Sequence, residues 1–256
     1  MNTRLLIQAA FILASFPLAA CSSGDDDTNG GDTQPSPWAG HTYTLTTTKF
    51  DWTEPHGLGK DIENVMPVFM LQMTTTTGKE MTAKIGSAPK LVDQMGNPVA
   101  GTLMQDLCTP TIEVPVSGAA YPSSQIGPST MDVHLLSKAT DPGPTDDVQV
   151  TAKVVNLKFT DVLPNGATKS ETGILEATMD IKDIAPLFTA LGHPPSTEAV
   201  CSELEKQGSP CQACPGTGTV TCLSARADFI GAVEAAGLTV QTVDLNTRPA
   251  TCKNTF

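Results

Sequence analysis

Cysteine is the residue type with the most chemistry to offer in this sequence. Four of the seven, Cys201, Cys211, Cys214 and Cys222, fall close together near the C-terminus. Three chemistries compete for such a cluster. Zinc needs four thiolates or imidazoles within tetrahedral reach, usually as two close pairs. Here only Cys211 and Cys214 form a C-x-x-C pair, and Cys201 and Cys222 flank it singly. A redox-active pair needs its first thiol at a helix N-terminus, where the dipole lowers the thiol pKa. Cys211-Gln212-Ala213-Cys214 runs instead into Pro215 and Gly216, which break a helix rather than begin a long one. Structural disulfides ask only for an oxidising compartment.

The N-terminus indicates which compartment the thiols meet. Asn2, Thr3 and Arg4 form a short positive region, Leu5 to Leu18 an apolar one, and the stretch ends in Leu18-Ala19-Ala20-Cys21. This is the order of a secretory signal peptide with a small-residue cleavage site. The last four residues resemble a bacterial lipobox. That resemblance implies cleavage before Cys21, with lipid on its sulfur and on its new amino group, so that Cys21 anchors the chain in a membrane. Ser22, following the cysteine, implies sorting to the outer membrane by the same resemblance. The alternatives are a plain signal peptide with an incidental Cys21, or an uncleaved transmembrane helix, for which the apolar run is short.

Setting Cys21 aside leaves Cys108, Cys201, Cys211, Cys214, Cys222 and Cys252. An even number in an exported protein reads as a disulfide framework, and six cysteines allow fifteen connectivities. One set suits the spacing. Cys214 and Cys222 would close a small hairpin over Pro215-Gly216-Thr217-Gly218-Thr219, and Cys201 could reach Cys211. Cys108 and Cys252 would then tie the middle of the chain to its end, contributing roughly 4–5 kcal/mol in the chain-entropy picture. The body as a whole resembles uncharacterised cysteine-rich bacterial envelope lipoproteins. The likeness rests on Trp52, Pro55, Gly57 and Gly59, on Cys211-x-x-Cys214-Pro215 and on Cys222-Leu223. It carries no activity over to this chain.

Other catalytic chemistry is sparse. His41, His56, His134 and His193 are isolated in sequence, and no H-E-x-x-H occurs. His56, between Pro55 and Gly57, reads as a solvated loop residue because nothing nearby supplies a second ligand. There is no G-x-S-x-G elbow, phosphate-binding loop or dinucleotide fingerprint. The one S-x-x-K, Ser87-Ala88-Pro89-Lys90, holds a proline where a serine hydrolase of that type needs a helix. Asp146 and Asp147 sit beside Pro144 as a charged turn, and Asp25 to Asp27 lack calcium-loop spacing. Neither a catalytic residue nor a metal or cofactor is expected. A hydrolase with carboxylates or other groups assembled by the fold from distant positions stays open.

The formal charge of −12, with basic residues scattered, argues against nucleic acid as a partner. After the N-terminal segment no run of apolar residues is long enough to span a bilayer, which leaves lipid at Cys21 as the membrane attachment. Aromatic residues make up only 5% of the chain, so the core must rest on aliphatic side chains and methionine.

These observations divide the chain into a signal peptide (1–20), a lipidated cysteine with an acidic tether lacking large apolar side chains (21–37), and one β-rich domain (38–256) whose last part (196–256) is cysteine-rich. Within the domain, strands are expected over His41–Phe50 and Val65–Met73, the latter with Phe69, Leu71 and Met73 facing one way and a hairpin return at Met81, Ala83 and Ile85. Weak strands fall near 111–116 and 131–136. Val148–Thr160 and Leu175–Ile181 form a hairpin across Leu163-Pro164-Asn165-Gly166. Asp51–Gly59 reads as a loop. Helices are expected over Ile184–Leu191, capped by Asp183, and over Ser196–Gln207, capped by Ser196. Cys222–Ile230 and Leu238–Val243 read as closing strands.

The expected fold is therefore mainly β, an antiparallel sandwich or partly open barrel with one or two short helices and a disulfide-stapled C-terminal region. The expected function is that of a lipid-anchored envelope protein, periplasmic or surface-facing, acting as a non-catalytic binding or structural module for a protein or glycan partner. An alternative is a carrier holding a small apolar ligand inside a barrel, suggested by Met66, Met70 and Met73, which could equally be core. The weaker alternative is the fold-assembled hydrolase.

Overall fold

The computed structural model describes residues 36–45, 51–75, 80–89, 103–120, 123–137, 147–164, 173–244, 246, 249 and 252. Cys21, the signal peptide, nearly all of the tether, Lys90, Asp146 and the Asn165-Gly166 turn lie outside them. None of the helices among the described residues is long and apolar enough to cross a membrane.

The chain is mainly β, and its antiparallel sheet curls into a partly open barrel. The strands among the described residues are β1 (Thr42–Leu45), β2 (Asp51–Glu54), β3 (Val68–Thr75), β4 (Met81–Ala88), β5 (Ile112–Ala120), β6 (Ser123–Ser137), β7 (Val148–Thr160), β8 (Gly173–Asp180), β9 (Gln212–Ala213), β10 (Val220–Ile230) and β11 (Ala232–Glu234). The helices among the described residues are α1 (Gly59–Val65), α2 (Ile181–Ala190) and α3 (Thr197–Lys206). The strand path is β11-β1-β3-β4-β5-β6-β7-β8-β10-β2, with β9 pairing β10. Its curl follows from chain continuity. β10 pairs with β8 as far as Ile230 opposite Gly173, and one residue beyond Gly231 the chain is already paired with β1, Ala232 opposite Leu45.

Alternation produces the interior. Phe69, Leu71 and Met73 on β3 are fully buried, as their spacing predicts, and join Ile85, Val133, Val154, Leu157, Phe159, Leu175 and Met179 in one continuous core. The rings of Phe69 and Phe159 meet edge to face across the barrel, centroids 5.4 Å apart, although three strands separate β3 from β7 along the sheet. Trp38 joins the same core and donates its indole N–H to the Pro164 carbonyl at 2.8 Å, so its one polar atom is satisfied. Met66 and Met73 belong to this core. Met70 points the other way, into a small outer cluster with Ala88 and Val240.

Several elements differ from the sequence expectation for identifiable reasons. Asp51–Gly59 is not simply a loop, because Asp51–Glu54 pairs with β10, a partner about 170 residues away, and Gly59 opens α1. No side chain caps α1, and only its burial of Ile62 and Val65 explains it. Helix α2 begins at Ile181, earlier than expected. Asp180 rather than Asp183 caps it, accepting the Lys182 N–H at 3.0 Å, and Ile181 turns from strand into core helix. Helix α3 is as expected, with the Ser196 hydroxyl accepting the Ala199 N–H.

β6 is longer than the short strand expected near 131–136. Pro128 interrupts the sequence pattern but falls where the register against β7 shifts, between Ile126 and Ser129. Leu238–Val243 is not a strand. It crosses the outside of β3 and β4, and side chains take the place of a ladder. The Gln72 and Gln105 side-chain oxygens accept the Val240 and Gln241 N–H groups, and the Thr111 hydroxyl accepts that of Val243. The strand beyond β1 at that end of the sheet is instead the short β11.

Candidate functional site

All six cysteines of the body are paired. Cys214 joins Cys222, Cys201 joins Cys211 and Cys108 joins Cys252, with Cα separations of 4.9, 5.4 and 5.2 Å. β9 and β10 form the hairpin that the first bridge closes, and Gly216 and Gly218 supply the positive φ its turn requires. The second bridge pins α3 beside that hairpin. Asp180 lies close to the Cys214 and Cys222 sulfurs, but a disulfide offers no thiolate to a metal.

The third bridge shapes the most site-like part of the molecule. Cys108 ends a segment that fills the gap left between β4 and β6 beyond the start of β5. The segment is tied to β4 by the Asp106 N–H, which donates to the Ser87 carbonyl at 2.7 Å. From there Asp106 reaches His134 on β6, its Oδ2 lying 2.8 Å from the imidazole Nδ1. The same oxygen accepts the Thr109 hydroxyl at 2.5 Å, and Oδ1 accepts the Cys108 N–H at 2.8 Å. Burial alone would raise the Asp106 carboxyl pKa. Its bonds to His134, Thr109 and the Cys108 amide outweigh that and hold it below the ordinary carboxylate value.

Asp106, Cys108 and His134 border a cavity of about 290 Å³, whose lining includes Val65, Pro67, Ser87, Pro89, Leu136 and Gln149. Ser87 is 2% exposed, and its hydroxyl has no hydrogen-bond partner among the described residues. A serine, a histidine and an aspartate are thus gathered on one pocket, with the aspartate orienting the imidazole.

Sequence reasoning did not find this group. Ser87 entered only through its S-x-x-K, and it lies at the end of strand β4 rather than on a helix. His134 had no visible partner, and Asp106 had no distinguishing feature. The three are too far apart in sequence to form a motif, and only the strand order brings them together.

The other expected positions stay apart. His56 is exposed, its backbone N–H donating to the Ser209 hydroxyl. His41 pairs with Glu234 at 2.7 Å on the surface. His193 is structural, lying 3.4 Å from both Asp61 and Glu203 and so linking α1 to α3, with the Phe188 ring against it. Asp147 is exposed. A larger open groove beside α3, bordered by Cys201, Glu205, Val220 and Thr221, gathers no comparable set of chemical groups.

Compared with known protein families, characterised proteins and solved structures, the chain matches none.

Proposed function

We propose that this chain is a lipid-anchored protein of the bacterial cell envelope, held in the outer membrane through Cys21, whose β domain serves as a non-catalytic binding or structural module. The observation that carries this reading is the pairing of every body cysteine, which sets Cys21 apart as the odd one in a chain that otherwise uses its thiols for disulfides. An acidic surface and a tether without apolar side chains suit a module that meets a protein or glycan partner away from the membrane. The closely packed inward faces support a module over a carrier with its ligand inside the barrel. Membrane fractionation of a bacterium exporting the chain tests the anchor. The unaltered chain should sediment with the outer membrane and Cys21→Ser should become soluble. Equal sedimentation of both would remove the reading.

One observation favours a second reading, the fold-assembled hydrolase: Ser87, Asp106 and His134 border a single pocket. Against it, the Ser87 hydroxyl is sealed from solvent. Incubation with a fluorophosphonate separates the two. The module reading expects no labelling of Ser87, and stoichiometric labelling that His134→Ala abolishes would establish the hydrolase.

A further inference from the structure

We infer that the Cys201–Cys211 bridge is a thiol-exchange site, opened by a dithiol from the surrounding solution through a mixed disulfide at Cys201, while the other two bridges and the barrel stay intact. This goes beyond membrane anchoring and does not rest on it.

Access separates the three bridges. Cys201 and Cys211 are both half-buried, and both border the open groove of about 760 Å³ beside α3. Thr197, Cys201 and Glu205 line that groove at steps of four residues, so they share the helix face turned toward it. A thiol entering the groove therefore meets the Cys201 side chain midway along its wall. The other bridges are better shielded. Cys214 and Cys222 are 6% and 2% exposed. Cys252 is fully buried, and its partner Cys108 borders a smaller cavity together with the Asp106 carboxylate, whose retained charge repels a thiolate. Exposed disulfides are the labile ones.

Charge selects the sulfur that is attacked. Glu198 and Glu205 stand one turn before and one turn after Cys201 and line the same groove, which disfavours a thiolate at that position. Lys182 borders the groove as well and offsets their repulsion of the incoming thiol. The attacking thiolate thus bonds to the Cys201 sulfur, the bridge breaks, and its electron pair leaves on Cys211. The second thiolate of the dithiol then attacks the sulfur joined to Cys201. This closes the reductant's own disulfide and releases Cys201 with the electron pair, and both protein thiolates take up protons from water.

The fold does not depend on this bond. Helix α3 keeps Val200 and Leu204 in the core and its cap from Ser196, and β9 stays tied to β10 by the Cys214–Cys222 bridge. Opening the bridge unties α3 from the hairpin and places two thiols in the groove. The Cys211-x-x-Cys214 spacing plays no part, since its members belong to different bridges.

The test uses the oxidised full-length chain exported with Cys21→Ser, which removes the one cysteine outside the bridges. Native protein is treated with dithiothreitol at neutral pH, quenched with N-ethylmaleimide at intervals and mapped by peptide mass. Cys201 and Cys211 should be labelled at least about 10-fold faster than the other four, with the methyl NMR spectrum of the core unchanged. In guanidinium the rates should converge, because the selectivity comes from the fold. Cysteamine, which has a single thiol, should leave its adduct on Cys201 and maleimide on Cys211. In the Cys201→Ser, Cys211→Ser double variant the remaining bridges should resist dithiothreitol as they do in the parent. The inference is overturned if another bridge opens first or all three open together, if cysteamine is found mainly on Cys211, or if opening this bridge unfolds the core.

Discussion

His134 and Asp106 lie 2.8 Å apart, Nδ1 to Oδ2, one on a strand and the other on a segment that a disulfide fixes in place. The relationship joins covalent structure to the pocket. The groups that touch the Asp106 carboxylate or its backbone come from β4 (Ser87), β6 (His134) and the turn that follows Asp106 (Cys108 and Thr109), so the residue behaves as a keystone for this end of the barrel.

Asp106→Asn should therefore cost about 1–3 kcal/mol at neutral pH, since a buried carboxylate with three donors gives way to an amide that cannot accept all of them. The sign of the pH dependence follows from the direction of its shift. With its native pKa below the value of about 3.9 for an unfolded chain, Asp106 contributes stability above roughly pH 4 and loses it as pH falls through the native value. Urea unfolding at neutral and acidic pH should show the difference between wild type and Asp106→Asn shrinking as the solution is acidified.

The three disulfides should not be equivalent. Cys108 and Cys252 are 144 residues apart, and in the chain-entropy picture their bridge stabilises by about 5 kcal/mol, against about 2.5 kcal/mol for Cys214–Cys222 with its separation of 8. Replacing each pair by alanine and comparing denaturant midpoints checks the order. Removing the first pair should also shift the His134 imidazole resonances, and removing the second should leave them in place.

Phe69 and Phe159 make the barrel's curl measurable. Either residue changed to alanine should destabilise by about 3–5 kcal/mol. Their double-mutant cycle should return a coupling of about 0.5–1.5 kcal/mol, as expected of an edge-to-face pair. A coupling near zero would mean the two strands do not face each other.

Tyr43 is buried, and burial, assisted by the charge of Glu234, pushes its phenol up to about 12. An unfolded phenol ionises near 10, so the folded state resists deprotonation and stability is lost as pH rises between these two values. Of the two tyrosines, Tyr43 should ionise late in a spectrophotometric titration, and Glu234→Gln should bring its midpoint down.

Much of this architecture is readable in the chain because some signals are local. The β3–β4 and β7–β8 pairs declare themselves by alternation, with Leu175, Ala177 and Met179 in phase against Val154 and Phe159. Ser196 announces α3 through its cap, and the even cysteine count announces a disulfide framework, for which spacing suggests one of fifteen connectivities without deciding it. What escaped is what depends on distant partners. β2 and α1 are too short to carry a period, and Leu238–Val243 has the composition of a strand but spends its N–H groups on glutamine and threonine side chains. The pocket was hidden for the same reason, since neither Ser87 nor His134 has a chemical neighbour in sequence.

The most direct test is the intact mass of the protein, recovered from a bacterium that exports it and treated with an alkylating agent without reduction. The account predicts a chain beginning at Cys21, carrying acyl groups at that residue, lighter by six hydrogens for its three disulfides and bearing no alkyl adduct. A chain that still begins at Met1, or an unacylated one with adducts on the body cysteines, would contradict it.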